Sequence, residues 1–268
     1  MIIALIFILA VLGAGLGSFA CCQVWRIRKN DKSKWSHCMK CGYRLKWYDN
    51  IPILSWLMLG GKCRKCHKKI GCMEILTELG MALLFALSFW LWPEQKAVLA
   101  GEVISIIRIV LYYLLITALC VGFLYDAKWK ELPVIVLIIA SVIGVAYFGV
   151  DLFGSIQSGD FEIMNLISAL LGMVLLPGFY FLMYKLSHEK WVGGGDYILC
   201  IPLALILANA WLSLSCLFVS NLIGCAIMLP VLSLSKKKDR MIPMGPFLIL
   251  GFLVIYFCKD FILEFISI

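Results

Sequence analysis

The sequence predicts an all-α polytopic membrane protein, with about eight transmembrane helices and a small cytoplasmic zinc-binding domain inserted after the first of them. Three observations carry that expectation. Hydrophobic residues make up 63% of the 268, and the mean hydropathy of +0.97 lies well beyond a soluble domain. The apolar residues fall into runs of about 20, the length that crosses a hydrocarbon layer roughly 30 Å thick. The charges, only 15% of the chain, are gathered between those runs.

The elements follow in order. The first run, MIIALIFILAVLGAGLGSFACCQVW, has no basic leader region and is too long for a cleaved signal, so it reads as a retained first helix at 2–25. A polar, basic loop occupies 26–72. Further spans are expected at 75–92, 103–125, 132–152, 163–186, 197–213, 214–234 and 242–265. Three parts result: the first helix (1–25), the cysteine-bearing loop domain (26–72) and the membrane-embedded remainder (73–268).

Charge sets the orientation. More than half of the 24 lysines and arginines lie between Arg26 and Lys69. Lys128 and Lys130 follow the third span, Lys185 and Lys190 the fifth, and Lys236, Lys237, Lys238 and Arg240 the seventh. The opposite loops carry Glu94, Glu102, Asp151, Asp160 and Glu162. Basic loops stay in the cytoplasm, so the cysteine-bearing loop is expected there. The net charge of +8 is therefore a topology signal. It fits attraction to anionic lipid headgroups of the bilayer and calls for no nucleic-acid partner.

Of 12 cysteines, most sit in apolar runs, where cysteine behaves as a small hydrophobe. The informative four are Cys38 and Cys41 in "CMKC" and Cys63 and Cys66 in "CRKC". Paired C-x-x-C knuckles at this separation suit a four-thiolate zinc site, and a reducing cytoplasm argues against two structural disulfides. Four sulfurs would close the tetrahedron and leave no position for a catalytic water, so the zinc is expected to be structural. A redox pair and simple loop cysteines are the competing readings, but the thioredoxin-like setting of a redox C-x-x-C is missing. His37 and His67 could stand in as ligands and read better as exposed neighbours; Cys72 reads as a spare.

Two aspartates stand at matching ends of spans. Asp126 closes the third in "VGFLYDAKWKELP", and Asp196 opens the sixth in "WVGGGDYIL". Carboxylates from two helices at one depth can share a proton, one acting as base toward water and the other as acid toward a carbonyl. Asp196 alone also fits a helix N-terminal residue, whereas Asp126 lies at a helix C-terminus, where negative charge is disfavoured. Gly193 and Gly195 would let an extended peptide backbone come close to Asp196. With Gly194 they are expected to form an irregular lead into the sixth helix instead of a regular first turn.

Several stretches together resemble the type IV prepilin peptidases, the leader peptidase/N-methyltransferase family of GxGD-type intramembrane aspartyl proteases. "GLGSFACCQVWRIR" is similar to the family's opening motif, and "CMKCGYRLKWYDNIPILSWLMLGGKCRKCHKKI" to its paired-cysteine domain. "ILTELGMALLF" places Glu78 on the family's glutamate. "DAKWKELP" resembles D-x-x-x-x-x-I-P with Leu132 for isoleucine, "GGGD" resembles G-x-G-D, and "IPMGPFLILG" resembles I-P-F-G-P-x-L. The resemblance implies an aspartyl peptidase in the 73–268 region with Asp126 and Asp196 as catalytic pair. It implies prepilin or pseudopilin substrates cut after a glycine that ends a short basic leader, at the cytoplasmic face of the bacterial inner membrane. N-methylation of the new N-terminus with S-adenosylmethionine is the second activity it implies. Cys21, Ile198 and Val134 depart from the family's asparagine, lysine and acid-or-asparagine positions and bear on methylation more than on proteolysis.

A zinc-stabilised transporter or channel is the alternative. It would place acids near the bilayer midplane and carry an inverted repeat, and neither is visible in the sequence. A zinc metalloprotease is excluded by the lack of an H-E-x-x-H motif.

Overall fold

The computed structural model describes residues 2–31, 33, 35–189, 192–233 and 243–266. The expected basic positions Lys190, Lys236, Lys237, Lys238 and Arg240, and the Ile242 that opens the "IPMGP" motif, lie outside the described residues. Eleven α-helices are present among the described residues, in the order α1 (Ile2–Lys29), α2 (Leu54–Met58), α3 (Cys72–Trp90), α4 (Gln95–Ala100), α5 (Val103–Trp129), α6 (Val134–Ser158), α7 (Ile163–Ser187), α8 (Gly194–Leu207), α9 (Ala210–Ser233), α10 (Gly245–Phe257) and α11 (Lys259–Ile266). The chain forms two compact units, Met1–Lys96 and Ala97–Ile268.

In the first unit α1 packs along α3. The contact is built on small residues. A Cβ at Gly13 would lie 2.5 Å from the Met81 carbonyl oxygen, and one at Gly17 would lie 3.0 Å from the Glu78 Cα. Two glycines four residues apart thus let the helix backbones approach, which is how helices associate where lipid supplies no hydrophobic drive. Phe85 and Phe89 of α3 are fully buried.

In the second unit α5 pairs with α6, α8 lies against α6 and α7, and α10 bridges α5, α8 and α9. Close approach again falls on small residues: Gly144 of α6 faces Pro202 of α8, and Gly172 of α7 faces Asn209 and Ser213. Far from the ends bearing Asp126 and Asp196, Arg108 of α5 meets Asp151 of α6 at 3.3 Å. The pair neutralises two charges that would be costly to leave alone in an apolar surround.

Among the described residues six helices are long and apolar enough to cross a membrane: α1, α3, α5, α6, α7 and the Ala210–Pro230 part of α9. The bent pair α10 and α11, turned by 68°, would make a seventh. Two expected boundaries are corrected here. The sixth and seventh spans were expected to meet at 213/214, but α8 ends at Leu207 and α9 begins at Ala210. Ala208 adopts a left-handed conformation (φ 44°), and the Asn209 side chain accepts N–H bonds from Trp211 at 2.9 Å and Leu212 at 3.3 Å. An asparagine cap inside an apolar run stops one helix and starts the next. The 14 residues of α8 therefore reach only about 21 Å, short of a full crossing. The eighth span, expected as one helix over 242–265, is broken at Cys258.

Candidate functional site

Asp126 lies one turn before the C-terminus of α5 and is 4% exposed. The end of a helix presents unpaired carbonyl groups, which do not suit a carboxylate. The compensation comes from elsewhere in the chain, because the Gly245 N–H at the start of α10 donates to Asp126 Oδ2 at 2.9 Å. A helix N-terminus carries a partial positive charge and unpaired N–H groups, so α10 supplies what the end of α5 lacks. The fit is tight: a Cβ at Gly245 would lie 2.8 Å from that same oxygen.

Asp196 is the third residue of α8 and is 7% exposed. The Gly193 N–H donates to Asp196 Oδ2 at 3.0 Å, and the Asp196 N–H returns a bond to the Gly193 carbonyl at 3.1 Å. The chain order puts both aspartates at the same end of the second unit: α5 ends there, and after the outward α6 and returning α7, α8 begins there. Gly195, which precedes Asp196, and Gly245, which donates to Asp126, both lie against Leu132, so the two aspartate-bearing backbones border one side chain. Each aspartate has one oxygen, Oδ2, held by a glycine N–H at a helix N-terminus.

The glycine triplet departs from expectation. Only Gly193 is outside the helix, in extended conformation (φ −76°, ψ 153°), while Gly194 and Gly195 form the regular first turn of α8. The reason is local: the reciprocal bonds between Gly193 and Asp196 close that turn and favour helix from Gly194 onward. Gly195 is required by an internal neighbour, since a Cβ on it would lie 2.7 Å from Leu132 Cβ. At Gly194 the nearest atom, on the Tyr184 ring, is an ordinary 3.5 Å away.

In the first unit the four predicted cysteines come together, with Cys38, Cys41, Cys63 and Cys66 placing their sulfurs within 4.8 Å of one another. Cys38 and Cys66 sulfurs are 3.9 Å apart, and Cys41 and Cys63 sulfurs 4.0 Å. A tetrahedron with metal–sulfur arms of about 2.3 Å has edges of about 3.8 Å, so the cluster fits zinc. Each knuckle is closed by the same bonds. Cys38 N–H donates to the Tyr43 carbonyl and Gly42 N–H to Cys38; Cys63 N–H donates to Lys68 and His67 N–H to Cys63. Gly42 and His67 occupy equivalent left-handed positions, with φ of 69° and 54°. Partial burial is the largest single influence on the Cys38 thiol and opposes ionisation. The N–H groups of Lys40 and Cys41 and the neighbouring thiols outweigh it and bring the thiol from its ordinary 9.0 down to about 6. His37 stands 3.6 Å from Asp31, and neither histidine joins the sulfur cluster; Cys72 begins α3 outside it.

Between the knuckles, Arg64 Nε donates to the buried Asp49 at 2.7 Å and lies over the Tyr48 ring, which ties the second knuckle to the intervening segment. Glu78 of α3, buried, accepts the Ile53 N–H at 2.7 Å. Ile53 has φ 64°, ψ −55°, and the Leu54 N–H turns back to the Pro52 carbonyl at 2.6 Å. This is the rare positive-φ γ-turn, strained for a β-branched residue and held here by a carboxylate.

The aspartates and the four cysteines are conspicuous in the sequence, whereas Gly245 and Leu132 carry no mark there of the contacts they make, and Glu78 stands only as a motif position. The "GP" that opens α10 was the available signal for Gly245, since Gly-Pro suits a helix start. Nothing local pointed from it to Asp126.

Residues 11–92 match the family model described as the bacterial peptidase A24 N-terminal domain. The chain is 25% identical over 252 residues to the prepilin leader peptidase/N-methyltransferase of Vibrio cholerae, covering 90% of this chain and 92% of that protein. It is 29% identical over 219 residues to the protein of that name in Pseudomonas aeruginosa, covering 80% and 68%. Over 70 residues, 26% of each chain, it is 47% identical to the type 4 prepilin-like proteins leader peptide-processing enzyme of Escherichia coli. No solved structure matches the chain.

Proposed function

We infer that this chain, related over most of its length to the prepilin leader peptidases and carrying their A24 N-terminal domain, cleaves the short basic leader from type IV prepilins or pseudopilins after a glycine, with Asp126 and Asp196 as its catalytic pair. The observation that carries this reading is the arrangement of the two aspartates. They are buried, come from different helices, and each has one carboxylate oxygen fixed by a glycine N–H.

The chemistry follows from one shared proton. Two adjacent carboxyl groups in a poorly solvated site are most stable with one ionised and one neutral. The ionised group takes a proton from water as its oxygen bonds to the scissile carbonyl carbon, and the neutral group gives its proton to the carbonyl oxygen. Collapse of the resulting diol breaks the C–N bond, and the amine leaves with a proton returned by the pair. The glycine N–H bonds hold both carboxylates in orientation throughout, so little reorganisation is needed at the moment of reaction.

The basic loops lie on the cytoplasmic side of the bacterial inner membrane, which puts the aspartates where a soluble leader meets a membrane-embedded pilin helix. The Cys38, Cys41, Cys63 and Cys66 cluster holds a structural zinc. It would cross-link the two knuckles and has no open position for substrate. The relatives' names also carry N-methyltransferase, and methylation of the new N-terminus is the second activity of this reading. The methyl donor it needs, S-adenosylmethionine, is assigned no residues of this chain.

Incubating the purified protein with a prepilin and reading the mass of the product tests both activities. Leader removal by the parent and none by Asp126→Asn or Asp196→Asn is the expected result. Undiminished cleavage by either variant would end the aspartyl assignment.

A further inference from the structure

Leu132 stands where the two aspartate-bearing elements meet. It lies on the short segment between Lys130, whose left-handed conformation closes α5, and Pro133, which opens α6. Its side chain packs on three glycines from three helices. A Cβ added at Gly195 would lie 2.7 Å from Leu132 Cβ and 3.1 Å from Cδ1; one at Gly245 would lie 3.4 Å from Cδ2, and one at Gly122 3.8 Å from Cδ2. Each glycine adjoins a carboxylate. Gly195 precedes Asp196, Gly245 donates to Asp126, and Gly122 stands one turn before Asp126. The isobutyl group therefore runs from the backbone that carries Asp196 to the backbone that holds Asp126.

A peptide bond attacked between the two carboxylates must lie beside that side chain. Leu132 has little freedom to withdraw, because the surfaces behind it have already given up their own Cβ atoms to receive it. The carboxylates on either side are themselves buried, so a substrate side chain cannot be redirected past them. Leu132 also lies beyond the end of α5, in the segment that joins it to α6, which is the side from which the leader arrives in the reading given above.

We propose that Leu132 is a specificity-determining residue: it walls off the position of the residue before the cleaved bond and so selects glycine there. This rests on the peptidase reading given above, in which the leader is cut after its final residue. A methyl group forced against a closed wall costs roughly 10- to 200-fold in rate, which is the scale of selection expected of the wall. Shortening the wall should return part of that factor.

The test compares the parent with Leu132→Ala and Leu132→Val, purified in detergent. Each is given two precursors that differ only in glycine or alanine as the last leader residue. The measurement is the ratio of kcat/KM for the two precursors, which a general loss of packing or of rate would leave unchanged. The expected result is a strong glycine preference in the parent, at least a tenfold fall in the ratio for Leu132→Ala, and an intermediate value for Leu132→Val. Should Leu132→Ala fail to accumulate, the direction of change in Leu132→Val decides. An unchanged ratio in the variants, with the parent cleaving the glycine precursor, overturns the role of Leu132 alone. A parent that cleaves neither precursor overturns the peptidase reading itself.

Discussion

The Gly245 N–H reaches Asp126 Oδ2 at 2.9 Å across a sequence separation of 119 residues. This bond resolves an apparent conflict in the sequence, an aspartate near the negative end of its own helix. The positive end of α10 offsets the negative end of α5, and α10 becomes part of the site without contributing a side chain.

Gly245→Ala should therefore reduce cleavage by about 100-fold, the scale seen when a preorganised donor to a reacting group is displaced. The added Cβ would meet Asp126 Oδ2 at 2.8 Å and push donor and acceptor apart. Helix content and membrane levels should stay near those of the parent, since alanine suits a first helical turn. Initial rates of leader removal at matched enzyme would show this, and full activity would mean the bond is dispensable.

Asp126→Asn and Asp196→Asn should each lower kcat by about 1,000-fold or more, because neither remaining carboxyl can serve as acid and base together. Binding should survive, as asparagine keeps an acceptor oxygen for the glycine N–H in each place. Co-purification of uncleaved precursor with both variants checks the separation of binding from chemistry.

Gly195→Ala should be far more damaging than Gly194→Ala. The first puts a methyl group 2.7 Å from Leu132 Cβ, and the second puts one 3.5 Å from the Tyr184 ring, which is ordinary contact. Gly194→Ala should even gain up to about 1 kcal/mol in helix propensity at a position already helical. Thermal inactivation of the two variants side by side would reveal the ordering; equal behaviour would mean Leu132 moves aside easily.

Elemental analysis should find one zinc per chain. Cys38→Ser, Cys41→Ser, Cys63→Ser and Cys66→Ser should each lower that content, while Cys72→Ser should not. Strong chelators should loosen the 26–72 loop to limited proteolysis without altering the two aspartates. Full zinc occupancy in all four variants would remove the four-sulfur assignment.

His67→Gly should slow zinc release to a chelator by roughly fivefold, equivalent to about 1 kcal/mol. His67 holds the left-handed position that Gly42 fills in the other knuckle. Glycine there removes the Cβ penalty, and His67 takes no part in the sulfur cluster. Faster release would mean the imidazole supports the knuckle in some other way.

Much of this architecture could be read from residue order alone, and the reason differs by element. Long helices such as α5 and α7 announce themselves because an apolar run needs about 20 residues to cross a bilayer. The cysteines were legible because knuckle ligands are local pairs, and the aspartates because charge at a span end is conspicuous. The break between α8 and α9 was legible in principle, since Asn209 is a helix-starting residue in an otherwise apolar stretch. Hydropathy averages it away. Gly245 and Leu132 could not be found, because their meaning lies in contacts between distant segments that no periodicity encodes.

The two knuckles have a kinetic consequence. Built on the same bonds, each is a ready two-sulfur clip before its partner arrives. A metal ion thus has two equivalent landing points during synthesis, and capture by either converts the second half of assembly into the closing of a single tether. The entropic cost of such closure grows only logarithmically with tether length, so the intervening segment between Cys41 and Cys63 could vary in length with little effect on how readily the loop matures.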